Sequence, residues 1–234
     1  MNKKLIKSII SLIFSAFMVI TVSFAWYISN TSASTTGVSV VAKNSNVTDG
    51  YLNRYVAQET STDGTYTLGD DIDSLTDITE IQYNELGYSK VIYELTATVN
   101  GSSFSISLAN TDSSRTSAIS ESEDEDGNTI YVNYLSNVAE FTYLTTSTID
   151  GVTYFTESTF DDGESVKYIS YGTSGIETID ILTDIEVEEG SVVTIYLLFD
   201  YNSDNITKIY SDNLGTTGGD SNIYFKEDLE FRLV

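Results

Sequence analysis

The sequence predicts an all-β protein: an antiparallel β-sandwich carried behind an N-terminal signal-peptide helix. Three observations predict it. Past residue 36 the apolar residues recur with a period near two, not 3.6. Turn dipeptides punctuate the chain at Asp49-Gly50, Asp63-Gly64, Asn100-Gly101, Asp126-Gly127, Asp150-Gly151 and Asp162-Gly163. β-Branched, aromatic and Ser/Thr residues dominate, and no stretch after the leader has helical spacing.

Residues 1–25 read as a signal peptide. MNKKLIK supplies Lys3, Lys4 and Lys7, and no charge follows from Ser8 through Ala42. The apolar stretch 9–28 ends in Ser23-Phe24-Ala25, a small-x-small site that places cleavage between Ala25 and Trp26. Thr31-Ser32-Ala33 is a second such site. An uncleaved anchor is the competing reading, because about 20 apolar residues reach across a bilayer. The lysines fit the cytoplasmic side, and the chain that follows fits export. The protein is therefore expected to be secreted or held at the cell surface, touching membrane only through this leader.

Residues 26–36 read as a flexible or strand-donating segment. From Trp26 to Ala42 the chain is uncharged, lacks Pro and favours extended backbone. An unpaired segment of this kind templates β-addition, with Trp26, Tyr27 and Ile28 as the self-association residues. The plainer alternative is the first strand of its own sandwich.

Residues 37–234 read as a single β-sandwich domain of ten to twelve short strands. Ser89–Asn100 places Val91, Tyr93, Leu95, Ala97 and Val99 on one face. Asn100-Gly101 then predicts a hairpin into Phe104, Ile106 and Leu108. Residues 66–87 admit a short helix or turn capped by Asp71, Asp73 or Ser74. Around Glu189-Gly190 two strands follow. The second is apolar on both faces (Val193, Ile195, Leu197, Phe199 and Tyr201 against Val192, Tyr196 and Leu198), so it is expected at a sheet centre. Ile223, Phe225, Leu229, Phe231 and Leu233 alternate at the C-terminus, which is expected to be docked.

Composition narrows the chemistry. The 234 residues carry 35 acidic and 11 basic side chains, a net charge of −24, which opposes nucleic acid and anionic lipid as partners. There is no His and no Cys, so thiolate or imidazole zinc sites and Ser-His or Cys-His catalysis are excluded, as is a disulfide framework. The absence of Pro removes a common blocker of strand edges.

The run VSFAWYISNTSAS directly after the apolar leader resembles exported Gram-positive proteins with the SipW-dependent type of signal peptide. In these, a small-x-Ala site is followed by an aromatic start such as Trp26-Tyr27. The ending is similar as well, with IYLLFDYNSDN, a polar loop and a final alternating strand. The best-known members are the TasA and camelysin biofilm-matrix proteins. The resemblance implies a jelly-roll-like sandwich, extracellular fibres, and assembly through the segment just after cleavage. It does not bring a metalloprotease centre, since no H-E-x-x-H helix can be formed without His.

No carboxylate pair is marked for acid–base work, and the protein is not expected to be an enzyme. Calcium is the one candidate cofactor, because hard cations take carboxylate and amide oxygens on loops. Its candidate ligands are Asp124, Asp126 and Asn128, beside Glu121 and Glu123, and Asp200, Asn202 and Asp204; Asp71, Asp73 and Asp77 form a third acidic loop. Solvated acidic turns are the simpler account of all three. Nine tyrosines (Tyr131, Tyr134, Tyr143, Tyr154, Tyr168, Tyr171, Tyr196, Tyr201 and Tyr210) offer a carbohydrate-facing surface, although such rings more commonly lie half-buried. The expected function is a cell-surface or extracellular-matrix structural protein, partnered with itself or other surface proteins. The alternative is a surface adhesin or a carbohydrate- or protein-binding module, stabilised by calcium.

Overall fold

The computed structural model describes residues 32–34, 38–42, 47–72, 90–123, 127–214, 223–225 and 229–234. The leader, the Ala25–Trp26 site, Tyr27, Ile28, Asp73, Ser74, Asp77, Asp124 and Asp126 lie outside the described residues. In chain order the strands are β1 (Ser32–Ser34), β2 (Val38–Ala42), β3 (Val47–Glu59), β4 (Thr65–Asp71), β5 (Val91–Val99), β6 (Ser103–Asn110), β7 (Ser120–Glu123), β8 (Thr129–Asn133), β9 (Ala139–Ile149), β10 (Val152–Ser158), β11 (Lys167–Tyr168), β12 (Thr178–Glu186), β13 (Ser191–Tyr201), β14 (Ile223–Phe225) and β15 (Leu229–Leu233). A helix, α1 (Ser203–Leu214), follows β13.

The chain is mostly β, as the alternation predicts. One sheet has the order β1-β2-β15-β6-β12. The larger sheet runs β10-β4-β3-β5-β13-β9-β11, and β10 also pairs with β9. That extra pairing closes six strands into a barrel, which a two-sheet sandwich does not contain. β9 makes the closure by changing neighbours along its length. Its residues 139–144 pair with β13, and residues 143–149 pair with β10. A small third sheet joins β14, β8 and β7. Two pairings are parallel, β15 with β2 and β14 with β8, so the expectation of a purely antiparallel fold is corrected. Both pair a C-terminal strand with one far back in the chain, which a hairpin does not do.

Two apolar cores result. The larger lies between the five-stranded sheet and the wall formed by β3, β5, β13 and β9. At its centre the rings of Tyr93, Phe141, Phe199 and Phe231 meet edge-on or tilted, with centroids 5.3–6.4 Å apart. The smaller fills the barrel with Ala57, Tyr66, Ile92, Leu144, Phe155 and Leu198. Residues on opposite sides of β5 and β13 thus feed different cores: Tyr93 and Leu197 the first, Ile92 and Leu198 the second. β13 lies between β5 and β9, the central position its two apolar faces predict. The C-terminal strand is docked, with Leu229, Phe231 and Leu233 all buried.

Two turn signals mean something other than predicted. Asn100-Gly101 does not make a hairpin. β5 and β6 belong to different sheets, and the dipeptide arches between them so that their apolar faces oppose each other across the large core. Asp49-Gly50 is not a turn at all but lies inside β3. A Cβ at Gly50 would fall 2.7 Å from Val40 Cγ1 and 3.1 Å from Leu233 Cδ1, so glycine is there to let the two sheets approach. By contrast, Asp150-Gly151 closes the β9–β10 hairpin with φ of 52° and 81°, the left-handed pair that a two-residue turn needs. The expected helix or turn over 66–87 is also corrected at its start, because Thr65–Asp71 is strand β4, hairpinned to β3.

The loops at one end are tied by a buried arginine. Arg115 donates from Nε to Ser136 Oγ (2.7 Å) and from Nη1 to Thr173 O (2.9 Å). Its Nη2 donates to Asn137 Oδ1 (2.8 Å) and Ser170 O (2.9 Å). Glu177 stands 3.6 Å from Nη1 and balances the charge. Asn137 passes the network on: its Nδ2 donates to Thr116 O and Asn133 Oδ1, and its carbonyl accepts from Asn205 Nδ2 on α1. Three loops and the helix are held by side-chain donors where the sequence offers no disulfide.

Removing this guanidinium strands several buried acceptors at once. Arg115→Met should cost at least about 3 kcal/mol of stability in urea unfolding; a loss under about 1 kcal/mol would show the loops need no such tie. Gly50→Ala should cost about 1–3 kcal/mol by the same measurement, since Val40 is branched and wholly buried and cannot swing away.

Candidate functional site

Asp200, Asn202 and Asp204 come together as a helix start. Asn202 Oδ1 accepts the Asn205 N–H (2.9 Å), which makes Asn202 the cap of α1, and Asn202 Nδ2 donates to Glu140 Oε2 (2.9 Å). Asp204 lies exposed in the first turn, where an acidic side chain favours the positive end of the helix. Asp200 Oδ1 accepts the Tyr201 N–H. The polar loop expected after IYLLFDY is therefore a helix, with Ile206 and Ile209 buried. The spacing Ile206, Ile209, Tyr210 behind an Asn cap was its sequence signal. Asn128 is exposed between β7 and β8. Among the described residues, no three His, Cys, Asp or Glu side chains gather as a metal site would require.

Of the nine tyrosines named from the sequence, seven are half-buried, Tyr201 is buried and Tyr168 is exposed. They do not form one surface. The barrel instead organises two sites, one at each mouth.

The narrow mouth holds a cation among carboxylates. Lys90, just before β5, donates from Nζ to the Tyr66 hydroxyl (2.9 Å), which donates to Glu157 Oε1 (2.6 Å). Lys90 Nζ also lies 3.5 Å from Glu157 Oε1 and 3.8 Å from Asp200 Oδ2. Burial pulls Lys90 down, but Tyr66, Glu157 and Asp200 together reverse this, and its pKa sits above the ordinary lysine value. Tyr66 is pushed up to about 12, by burial first and then by its bond to Glu157. Neither group supplies a base near neutrality. Asp200 is the titrating member. Burial raises its pKa to about 6, with Glu140 and Glu157 adding to the rise and the Tyr201 N–H and Lys90 opposing it. A cavity of 240 Å³ reaches Glu157 from outside, lined also by Thr142, Ser158, Thr159, Ser165 and Val166, but neither Asp200 nor Lys90 lines it.

The wide mouth is an open sheet face. β9 and β13 separate after the Leu144–Tyr196 pair, and β10 and β4 separate beyond Phe155–Tyr66. Beyond those pairs the β9–β10 hairpin stands away, with residues 145–153 all exposed. The face of β3, β5 and β13 that it leaves uncovered is laid out in rows by the strand register: Tyr51–Thr96–Thr194, then Asn53–Glu94–Tyr196. Tyr51 is 57% exposed, and the Thr96 and Thr194 hydroxyls lie 3.1 Å apart. Tyr55 and Tyr196 are raised above the ordinary phenol value, in each case by burial first and then by Glu94. Tyr51, Tyr55 and Glu94 were not singled out from the sequence. Only the barrel's closure shows that the face carrying them continues an interior.

Asp200 makes stability depend on pH with a definite sign. Its folded pKa lies above its unfolded value of 3.8, so the folded chain holds a proton that the unfolded chain releases between about pH 4 and 6. Stability should fall as pH rises through that window, and Asp200→Asn should flatten the slope. Equal slopes in urea unfolding at pH 4, 5, 6 and 7 would remove Asp200 from this role. Compared with protein-family profiles, curated proteins and solved structures, the chain shows no significant match to any of them.

Proposed function

We propose that this chain is an exported surface or extracellular-matrix structural protein that associates with its own copies by strand addition. The observation that carries the reading is the N-terminus: a lysine start, an uncharged apolar stretch and an Ala25–Trp26 site, run directly into an acidic β-rich chain. The jelly-roll-like layering implied by the resemblance belongs to this reading, supported by the two facing sheets that share the large core.

The sheet rims support the choice of interface. At one rim of the five-stranded sheet, β12 is blunted by two register shifts, a left-handed Asp184 (φ 49°) and the acids Asp180 and Glu186. Such features discourage edge-to-edge pairing. The other rim is β1, which follows directly on residues 26–31 and carries no charge. Strand addition between copies is therefore proposed at the β1 rim, which lies within the segment 26–36 and pairs on its other side with β2.

Intact mass of the protein from its native host should give an N-terminus at Trp26. The exported form should grow in size with concentration on size-exclusion chromatography, and deletion of 26–36 should leave a folded monomer. Recovery of the chain from the cytoplasm with Met1 intact would reject export. Unchanged assembly after the deletion would reject this route of association.

A further inference from the structure

We infer that the open face at the wide mouth of the barrel, centred on Tyr51, Glu94, Thr96 and Thr194, is a binding site for an uncharged oligosaccharide. This goes beyond the structural role and does not depend on assembly.

Tyr51 offers a ring exposed over more than half its surface, at the margin of a floor of threonine hydroxyls. The next row supplies the Asn53 amide and the Glu94 carboxylate, with the Tyr196 ring on the far strand. Aromatic faces stack on the C–H face of a pyranose, while hydroxyl, amide and carboxylate groups exchange hydrogen bonds with its hydroxyls. Strand geometry sets the footprint. Tyr51 and Tyr55 are about 13 Å apart along β3, and β3 and β13 are about 10 Å apart across β5, room for about two or three sugar rings.

Charge selects the class. The chain is strongly acidic, and the face itself carries Glu94 with Asp49 at its edge. An anionic glycan or a nucleic acid would be repelled. A protein partner laid flat on the face would strip water from Glu94 and would have to present its own lysine or arginine there, since none stands in these rows. A polyol instead brings its own donors to the carboxylate. Residues 145–153 of the hairpin are all exposed and pair with neither β13 nor β4, so the face is open at that margin to a chain longer than the footprint.

The test uses the exported protein and three uncharged probes, the β-linked hexasaccharides hexa-N-acetylchitohexaose, cellohexaose and laminarihexaose, followed by calorimetry and tyrosine fluorescence. At least one should bind at about 5 mM or below, and a hexagalacturonate should bind more weakly than any probe that binds. Tyr51→Ala and Glu94→Gln should each weaken binding about tenfold, equivalent to about 1.4 kcal/mol. Tyr51→Phe should stay within about twofold, because the ring is kept. Thermal melts of the two Tyr51 variants should match the parent, since Tyr51 is exposed. No binding by any of the three, or affinity unchanged in Tyr51→Ala, overturns the inference. Loss of self-association in Tyr51→Ala without sugar binding would assign the face to a second copy and overturn it equally. Because the readout is sugar binding and not assembly, failure here leaves export and strand addition standing, and their failure leaves this intact.

Discussion

The architecture depends on strands that are dry on both sides. β5 and β13 bury Tyr93, Leu95, Leu197 and Phe199 toward the five-stranded sheet and Ile92 and Leu198 toward the barrel. A sheet with one wet face can lie open, but one with two apolar faces needs a second cover. Among the described residues no further layer supplies it. The sheet curls until β10 reaches β4, and Phe155 and Tyr66 complete the second core. Everything functional at the barrel follows from where that closure stops. It is sealed over a short length, so one mouth is plugged by Lys90 and its carboxylates and the other opens as a face.

Much of the strand content was legible, and the reason is local. Alternation in β5, β6, β13 and β15 reports burial on one face, which needs no knowledge of neighbours. What alternation cannot report is which strand lies beside which. Asn100-Gly101 illustrates this: two strands with matching apolar faces satisfy the same pattern whether paired edge to edge or opposed across a core. Gly50 is a second instance, since a glycine after Asp reads as a turn until the neighbouring sheet at Val40 is known. The doubly apolar character of β13 did carry tertiary information, but it indicated only cover on both sides, not that the cover was the same sheet returning.

The sites were less legible than the fold. Acidic clusters such as Asp200, Asn202 and Asp204 suggest cation ligands by composition, yet one caps a helix, one neighbours Lys90 and one faces solvent at a helix start. Their roles are fixed by backbone groups that composition does not show. Tyrosines were numerous enough that the sequence could not sort them. The sorting comes from register, which puts Tyr51 in a row with Thr96 and Thr194, and from a hairpin that leaves that row uncovered. Arg115 gave no signal at all, because its partners are mostly main-chain carbonyls and amide side chains spread over 60 residues of chain.

That arginine clamp has an environmental consequence. Guanidinium and amide groups neither oxidise nor exchange with thiols, and they do not titrate between about pH 4 and 10. A reductant that opens cystine-braced domains has nothing to act on here, since the chain has no Cys and these loops are joined through Arg115, Asn137 and Asn205. The fastening travels with the folded chain and asks nothing of the medium around it.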